Sequence, residues 1–103
     1  MEERIARIWM NKLNSGIVQG KDFLFLGGRY SAYGVLCLIY EEDTDNNINY
    51  TGEITIPLVV LEWAGIKDIN IPVGRYKSLV HANDCGVSFV SLAGWIKQNW
   101  KIL

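Results

Sequence analysis

The six residues HANDCG, His81 to Gly86, contain the only histidine of the chain and one of its two cysteines. A Cys–His pair can provide a nucleophile and a base, because the base removes the thiol proton and the thiolate attacks. His81 and Cys85 are four residues apart, which places them on one face of a helix, and Asp84 could orient the imidazole. These residue types are those of a small Cys-dependent hydrolase.

The same segment also has the composition of a turn. Asn and Asp side chains bond to nearby backbone groups, and Gly accepts a positive φ. A turn here would lead into a helix capped by Ser88, and Cys85 would be a small filler residue. We favour the turn, with Asn83 and Asp84 as its functional polar groups. Enzymatic activity through Cys85 and His81 stays open, but a binding protein is favoured.

Neither a metal ion nor a cofactor is expected. Two cysteines and one histidine, with no second Cys or His near either cysteine, cannot form a closed zinc site. Cys37 lies between leucines in VLCLIY, and burial makes a thiol inert. We therefore expect Cys37 to be a core residue.

A second candidate site follows the glycine pair Gly27–Gly28. Arg29 and Tyr30 come next, just before a helix start expected at Ser31, and backbone amides there could receive a phosphate or carboxylate together with Arg29. Lys21 is a second available cation. The Lys–Ser/Thr of a P-loop is missing, so the alternative is a hairpin-like turn with a solvated arginine.

Short elements are predicted to position these side chains. A first helix over 2–16 carries an apolar stripe at Ile5, Ile8, Trp9 and Leu13, and a strand follows at 22–26. Residues 32–42 favour a buried helix after Ser31, in which Gly34 indicates close packing by a neighbour.

The second half of the chain continues this alternation. A hairpin is predicted over 48–56 with its turn at Thr51–Gly52, then a helix over 58–65 after Pro57, and an edge strand over 69–73. The last helix starts at Ser88 and carries the stripe Phe89, Leu92, Ala93, Ile96 and Trp100. The fold class is α+β: a single small domain, residues 1–103, of about four helices packed on a small, mainly antiparallel sheet.

The composition argues against two classes of partner, nucleic acids and membranes. Half of the 103 residues are apolar, and ten Lys and Arg oppose eleven Asp and Glu without clustering, which argues against nucleic-acid binding. No stretch is long enough for a membrane helix, and MEERIARIWM has no signal-peptide core. The expected location is the cytoplasm.

The four tryptophans are core candidates, although Trp95 lies off the last helix's stripe and is expected to be exposed.

The chain resembles a widespread family of small phage and prophage proteins whose activity is not firmly established. The resemblance keeps its order along almost the whole chain, in the segments Trp9 to Gly16, Gln19–Gly20–Lys21, Tyr30 to Cys37, Pro57 to Ile66, Pro72–Val73 and Ala82 to Phe89. A double cysteine of the family pattern is replaced by Ser31–Ala32, so no chemistry that needs it is expected. Asn83, Asp84 and Gly86 fall on the motif.

The resemblance implies a phage-encoded accessory protein, of counter-defence type, in the bacterial host cytoplasm. We expect it to bind and sequester a small anionic host molecule such as a nucleotide immune signal. Arg29 and Lys21 would contact a phosphate, Asn83 and Asp84 ribose or base edges, and Tyr30 would stack. The alternative is a protein–protein inhibitor of a host enzyme that acts through an aromatic surface around Trp95. A homo-oligomer is compatible with either.

Overall fold

The chain folds into five α-helices and a two-stranded antiparallel sheet in the computed structural model, which describes residues 1–103. In chain order the elements are α1 Glu3–Leu13, β1 Phe25–Leu26, β2 Arg29–Tyr30, α2 Ala32–Thr44, α3 Leu58–Ala64, α4 Leu79–Asp84 and α5 Phe89–Asn99, followed by a 3₁₀ helix Trp100–Ile102. The architecture is a small α+β domain with one more helix and a smaller sheet than the sequence predicts.

The core lies between α1, α2 and α5. Helix α2 is buried along most of its length, which explains why its sequence is apolar on nearly every face. Trp9 of α1 is fully buried, and its indole N–H donates to the backbone carbonyl of Ala32 at 2.8 Å. Cys37 is buried, as predicted, and burial raises the pKa of its thiol to about 12.

Serine caps begin three of the helices. The hydroxyls of Ser31, Ser78 and Ser88 accept hydrogen bonds from backbone N–H groups in the first turns of α2, α4 and α5. Such a cap contributes about 1 kcal/mol. The predicted caps Ser31 and Ser88 are confirmed, and Ser78 caps a helix that the sequence did not predict.

Gly34 lets the start of α2 lie directly against the chain before β1. A Cβ atom at this position would be only 1.7 Å from the carbonyl oxygen of Leu24. The same carbonyl accepts a hydrogen bond from the N–H of Ser31 at 3.0 Å. The predicted close approach at Gly34 is therefore confirmed, and the neighbour is backbone.

A two-residue turn joins β1 and β2. Gly27 and Gly28 both have positive φ, which is the requirement of the hairpin turn whose twist suits short antiparallel strands. Phe25 pairs with Tyr30 and Leu26 with Arg29. Single parallel bridges from Gln19 to Tyr30 and from Thr51 to Phe25 flank the pair, so residues 18–20 run beside β2.

Of the three predicted β segments, two are not formed and the third is shorter than expected. The expected hairpin over 48–56 is not formed: only its turn is present, and Ile54 is 67% exposed. The expected edge strand over 69–73 is also absent, because Pro72 lacks an N–H and Val73 pairs across a tight turn with Tyr76. The strand expected over 22–26 is reduced to Phe25–Leu26, since Asp22 has a φ of 69°.

None of the helices is long and apolar enough to cross a lipid bilayer.

Candidate functional site

Asn83 joins three parts of the molecule at the C-terminal end of α4. The side chain is 1% exposed. Its Oδ1 accepts hydrogen bonds from the side-chain amide of Gln19 at 3.0 Å and from the N–H of Ala32 at 3.2 Å. Its Nδ2 donates to the carbonyl of Gly20 at 3.0 Å and to Asp84 at 3.3 Å. The amide is saturated, so it has no group left for a ligand.

Gln19 extends this network to the start of α5. Its Nε2 also donates to the carbonyl of Val87 at 2.7 Å, and its Oε1 accepts from the N–H of Phe89 at 3.0 Å. One side chain therefore holds residues 18–20, α4 and α5 in register. We call Gln19, Asn83 and Asp84 the amide corner.

Asp84 fixes the chain that carries Lys21. Its Oδ1 accepts the N–H of Asp22 at 2.9 Å. Asp22 has a φ of 69°, a conformation that costs energy for a residue with a Cβ atom, and the N–H of Phe23 closes the turn by donating to the Lys21 carbonyl at 2.8 Å. The amide corner thus holds a strained turn directly after Lys21.

HANDCG is only partly the turn that the sequence predicts. Residues 81–84 form the end of α4, and Cys85–Gly86 then make the turn, with Gly86 at a φ of 92°. The helix forms because Leu79, Ala82 and Asn83 are buried on one side and Ser78 caps its start. A helix of six residues is too short to be recognised from its own periodicity.

Lys21 and Arg29 line one shallow groove, although they are eight residues apart in the chain. The groove has a volume of about 250 Å³, and Gly20, Phe23 and Leu26 complete its walls. Gly20 packs directly against Arg29, because a Cβ atom at Gly20 would be 2.8 Å from the Cβ of Arg29. Both cations are exposed, and neither takes part in an ion pair.

Tyr30 does not occupy the position that the predicted stacking on a ligand requires. Its ring packs on Phe25 with the centroids 4.5 Å apart, and it does not line the groove. Phe23 is the aromatic residue of the groove, and it is half-buried.

Beside the groove lies a small cavity of about 10 Å³, room for a single water molecule. Phe23 lines both spaces. Asp22, Tyr33 and Asp84 also line the cavity. Tyr33 is 1% exposed, and its hydroxyl is the one buried side-chain polar group without a hydrogen-bond partner. Burial, with a smaller contribution from Asp68, raises the pKa of this hydroxyl, which therefore stays protonated.

His81 and Cys85 do not form a hydrolase dyad with Asp84. The imidazole Nδ1 of His81 accepts the backbone N–H of Lys77 at 3.1 Å, and its ring stacks edge-on against Tyr76. Asp84 bonds to Asp22 and Asn83 and does not orient the imidazole. Cys85 is exposed and ends α4.

Trp95 is half-buried against the core rather than exposed. The aromatic surface expected around it is therefore only partly formed. The large apolar side chains with the highest exposure lie elsewhere, at Val90, Ile54 and Leu58.

Sequence reasoning missed four residues of this region: Gln19, Gly20, Phe23 and Tyr33. Gln19 and Gly20 stand beside Lys21 in the segment that carries the family resemblance, which was a signal for them. Phe23 and Tyr33 read as ordinary core aromatics, and nothing in the sequence shows that one lines a groove or that the other lacks a partner.

No family model, curated protein or solved structure matches this chain.

Proposed function

We propose that this protein binds a small phosphate-bearing molecule in the groove between Lys21 and Arg29, and acts by sequestering it. The observation that carries the proposal is that two cations without ionic partners line the same concave surface. A phosphate can take charge-assisted hydrogen bonds from both.

The position of the other cations of the chain supports this choice: Lys67, Arg75, Lys77, Lys97 and Lys101 also lack an ionic partner, but no two of them line one groove, and the remaining three are paired. Arg4 and Arg7 pair with Asp43 and Glu3, and Lys12 pairs with Glu42. Those side chains are committed to intramolecular partners on the helix surfaces. Lys21 and Arg29 instead line the same groove, together with Gly20, Phe23 and Leu26.

Sequestration, rather than catalysis, fits the composition of the groove. It holds no Ser, Thr, Cys, His, Asp or Glu side chain and no group of metal-ligating residues. A phage accessory protein that withdraws a nucleotide-type signal from its host would need affinity alone. The phage setting rests on the resemblance of the sequence segments given above.

Calorimetric titration with inorganic phosphate, AMP, ADP-ribose and a cyclic dinucleotide tests the proposal. We expect heat with at least one phosphate compound, and weaker affinity at high salt because the contact is electrostatic. The double variant Lys21→Gln with Arg29→Gln should lose at least tenfold in affinity.

The matched control is the double variant Lys97→Gln with Arg75→Gln, which removes the same two charge types outside the groove. It should bind like the unaltered protein. Equal losses in both double variants would indicate general charge attraction and would contradict a site at the groove, as would the absence of heat with every phosphate compound.

A further inference from the structure

We propose that the groove selects phosphate monoesters whose organic part is a flat ring with apolar faces. The phosphate contacts Lys21 and Arg29, and the ring packs on Phe23 and Leu26. This inference rests on the proposed function and adds the class of phosphate compound that the groove prefers: a mononucleotide belongs to this class, whereas a simple sugar phosphate and a phosphodiester do not.

The end of the β1–β2 hairpin places an apolar side chain beside a cation. Leu26 and Arg29 are directly paired in the antiparallel register. Residues paired in this way carry their side chains on the same face of the hairpin, with the Cβ atoms about 5 Å apart. Leu26 is 48% exposed, and both residues line the groove. One molecule can therefore contact the guanidinium and the apolar side chain together.

The chain before β1 brings the same combination to the groove. Lys21 supplies the second cation, and the half-buried Phe23 supplies an aromatic ring. Gly20 has no side chain to hold this segment away from the hairpin, because a Cβ atom there would be too close to the Cβ of Arg29. Two cations and two apolar side chains thus line one space of about 250 Å³.

The charge of the groove favours a monoester over a diester. Lys21 and Arg29 contribute two positive charges, and no carboxylate lines the groove. At pH 7 a phosphate monoester carries about 1.5 to 2 negative charges and three terminal oxygens that accept hydrogen bonds, whereas a phosphodiester carries a single negative charge. A monoester therefore neutralises both cations, and a diester leaves part of their charge uncompensated.

The rest of the lining favours a ring over a sugar. Apart from the two cations, the groove is lined by Gly20, Phe23 and Leu26, which offer no polar side chain to a hydroxyl group. A hydroxyl placed there would lose water without gaining a partner. A ring would instead remove the two apolar side chains from water, and it could stack on Phe23.

Calorimetric titration at pH 7.5 with phenyl phosphate, glucose 6-phosphate and inorganic phosphate tests the choice of organic part. The three compounds carry similar phosphate charge, so the two cations should attract them to a similar extent. We expect phenyl phosphate to bind about fivefold more tightly than glucose 6-phosphate, because only phenyl phosphate covers the apolar side chains. Equal affinity for these two esters would overturn the inference.

Leu26→Ala and Phe23→Leu locate that preference in the groove. Both variants should weaken phenyl phosphate binding about threefold and leave the affinity for inorganic phosphate unchanged. Val90→Ala is the matched control, because Val90 is an apolar side chain of α5 that is 69% exposed and lies outside the groove. A full preference for phenyl phosphate in both groove variants, or an equal loss in the control, would contradict the contact.

AMP and cyclic AMP test the selection of a monoester, because they share the base and the ribose. AMP should bind about fivefold more tightly at pH 7.5, and this advantage should disappear at pH 5, where a monoester has taken up its second proton. Cyclic AMP that binds as tightly as AMP at pH 7.5 would overturn the selection. If the protein binds inorganic phosphate without preference among the esters, only this inference fails; if it binds no phosphate compound, the proposed function fails with it.

Discussion

The amide corner and the groove of Lys21 and Arg29 meet in the segment 19–22, where Gln19 of the corner precedes Gly20 and Lys21 of the groove, yet they are opposite in chemistry. In the corner, the side-chain amides of Gln19 and Asn83 form hydrogen bonds with other groups of the protein. In the groove, Lys21 and Arg29 have no ionic partner. The difference separates the groups that hold this fold from those that remain free to contact another molecule.

The comparison predicts that the corner is essential for stability. Asn83→Ala should lower the free energy of unfolding by about 3 kcal/mol, because it leaves the buried N–H of Ala32 and the half-buried carbonyl of Gly20 without partners. Urea unfolding followed by tryptophan fluorescence measures this. A loss below about 1 kcal/mol would mean that water replaces the amide, and the corner would not differ from the groove.

Gln19→Ala should cost less, about 2 kcal/mol, because Gln19 is only half-buried and water can reach part of its site. The two substitutions share a hydrogen bond, so the double variant should lose less than the sum of the single losses. A double-mutant cycle in urea checks this, and strict additivity would contradict a connected network.

Gly86→Ala probes the boundary between the two regions. A non-glycine residue at a φ of 92° is strained by about 1 kcal/mol. The added Cβ would also stand 3.6 Å from the Nζ of Lys21. We expect a moderate fall in melting temperature and a change in phosphate affinity. Gly94→Ala, in α5 with open space around it, is the control and should not lower stability.

The groove cations should contribute almost nothing to stability. Lys21→Gln and Arg29→Gln are each expected to change the free energy of unfolding by less than about 0.5 kcal/mol, since both side chains are exposed and unpaired. Thermal unfolding of the two variants checks this. A larger loss would reveal an intramolecular partner for the cation and would remove the contrast with the corner.

The smallest expected change in stability concerns Arg4, a cation that pairs with Asp43. The hydrogen bond from Arg4 lowers the pKa of Asp43. This pair therefore stabilises the fold above the ordinary carboxyl pKa, and its contribution disappears as the pH falls through the lowered pKa. Asp43→Asn should lose slightly more stability at pH 7 than at pH 2.5, measured in urea. Arg29→Gln should show no such pH dependence.

Local signals were sufficient for the helices with caps and stripes. Ser31 and Ser88 start α2 and α5 as expected, and Gly65 ends α3 in the left-handed conformation that its position predicts. Each of these features is decided by residues within one or two turns of the chain, which is why the sequence reveals them.

Long-range contacts explain what the sequence did not reveal. The alternation at 48–56 is locally correct for a hairpin, but Tyr50 is buried in the core and Thr51 bridges Phe25 instead of a following strand. Three of the four hydrogen-bond partners of Asn83 lie 51 to 64 residues away. The polar side chain of Asn83 suggested a ligand contact, and only the three-dimensional arrangement shows that all the hydrogen-bonding positions of its amide are occupied.

Ala32 is held from two sides, because its N–H donates to Asn83 and its carbonyl accepts the indole N–H of Trp9. The first turn of α2 therefore depends on contacts with two other helices at once, α1 and α4. The amide proton of Ala32 can meet solvent only when the contact with Asn83 opens, so its exchange with deuterium should report the separation of α4 from the start of α2.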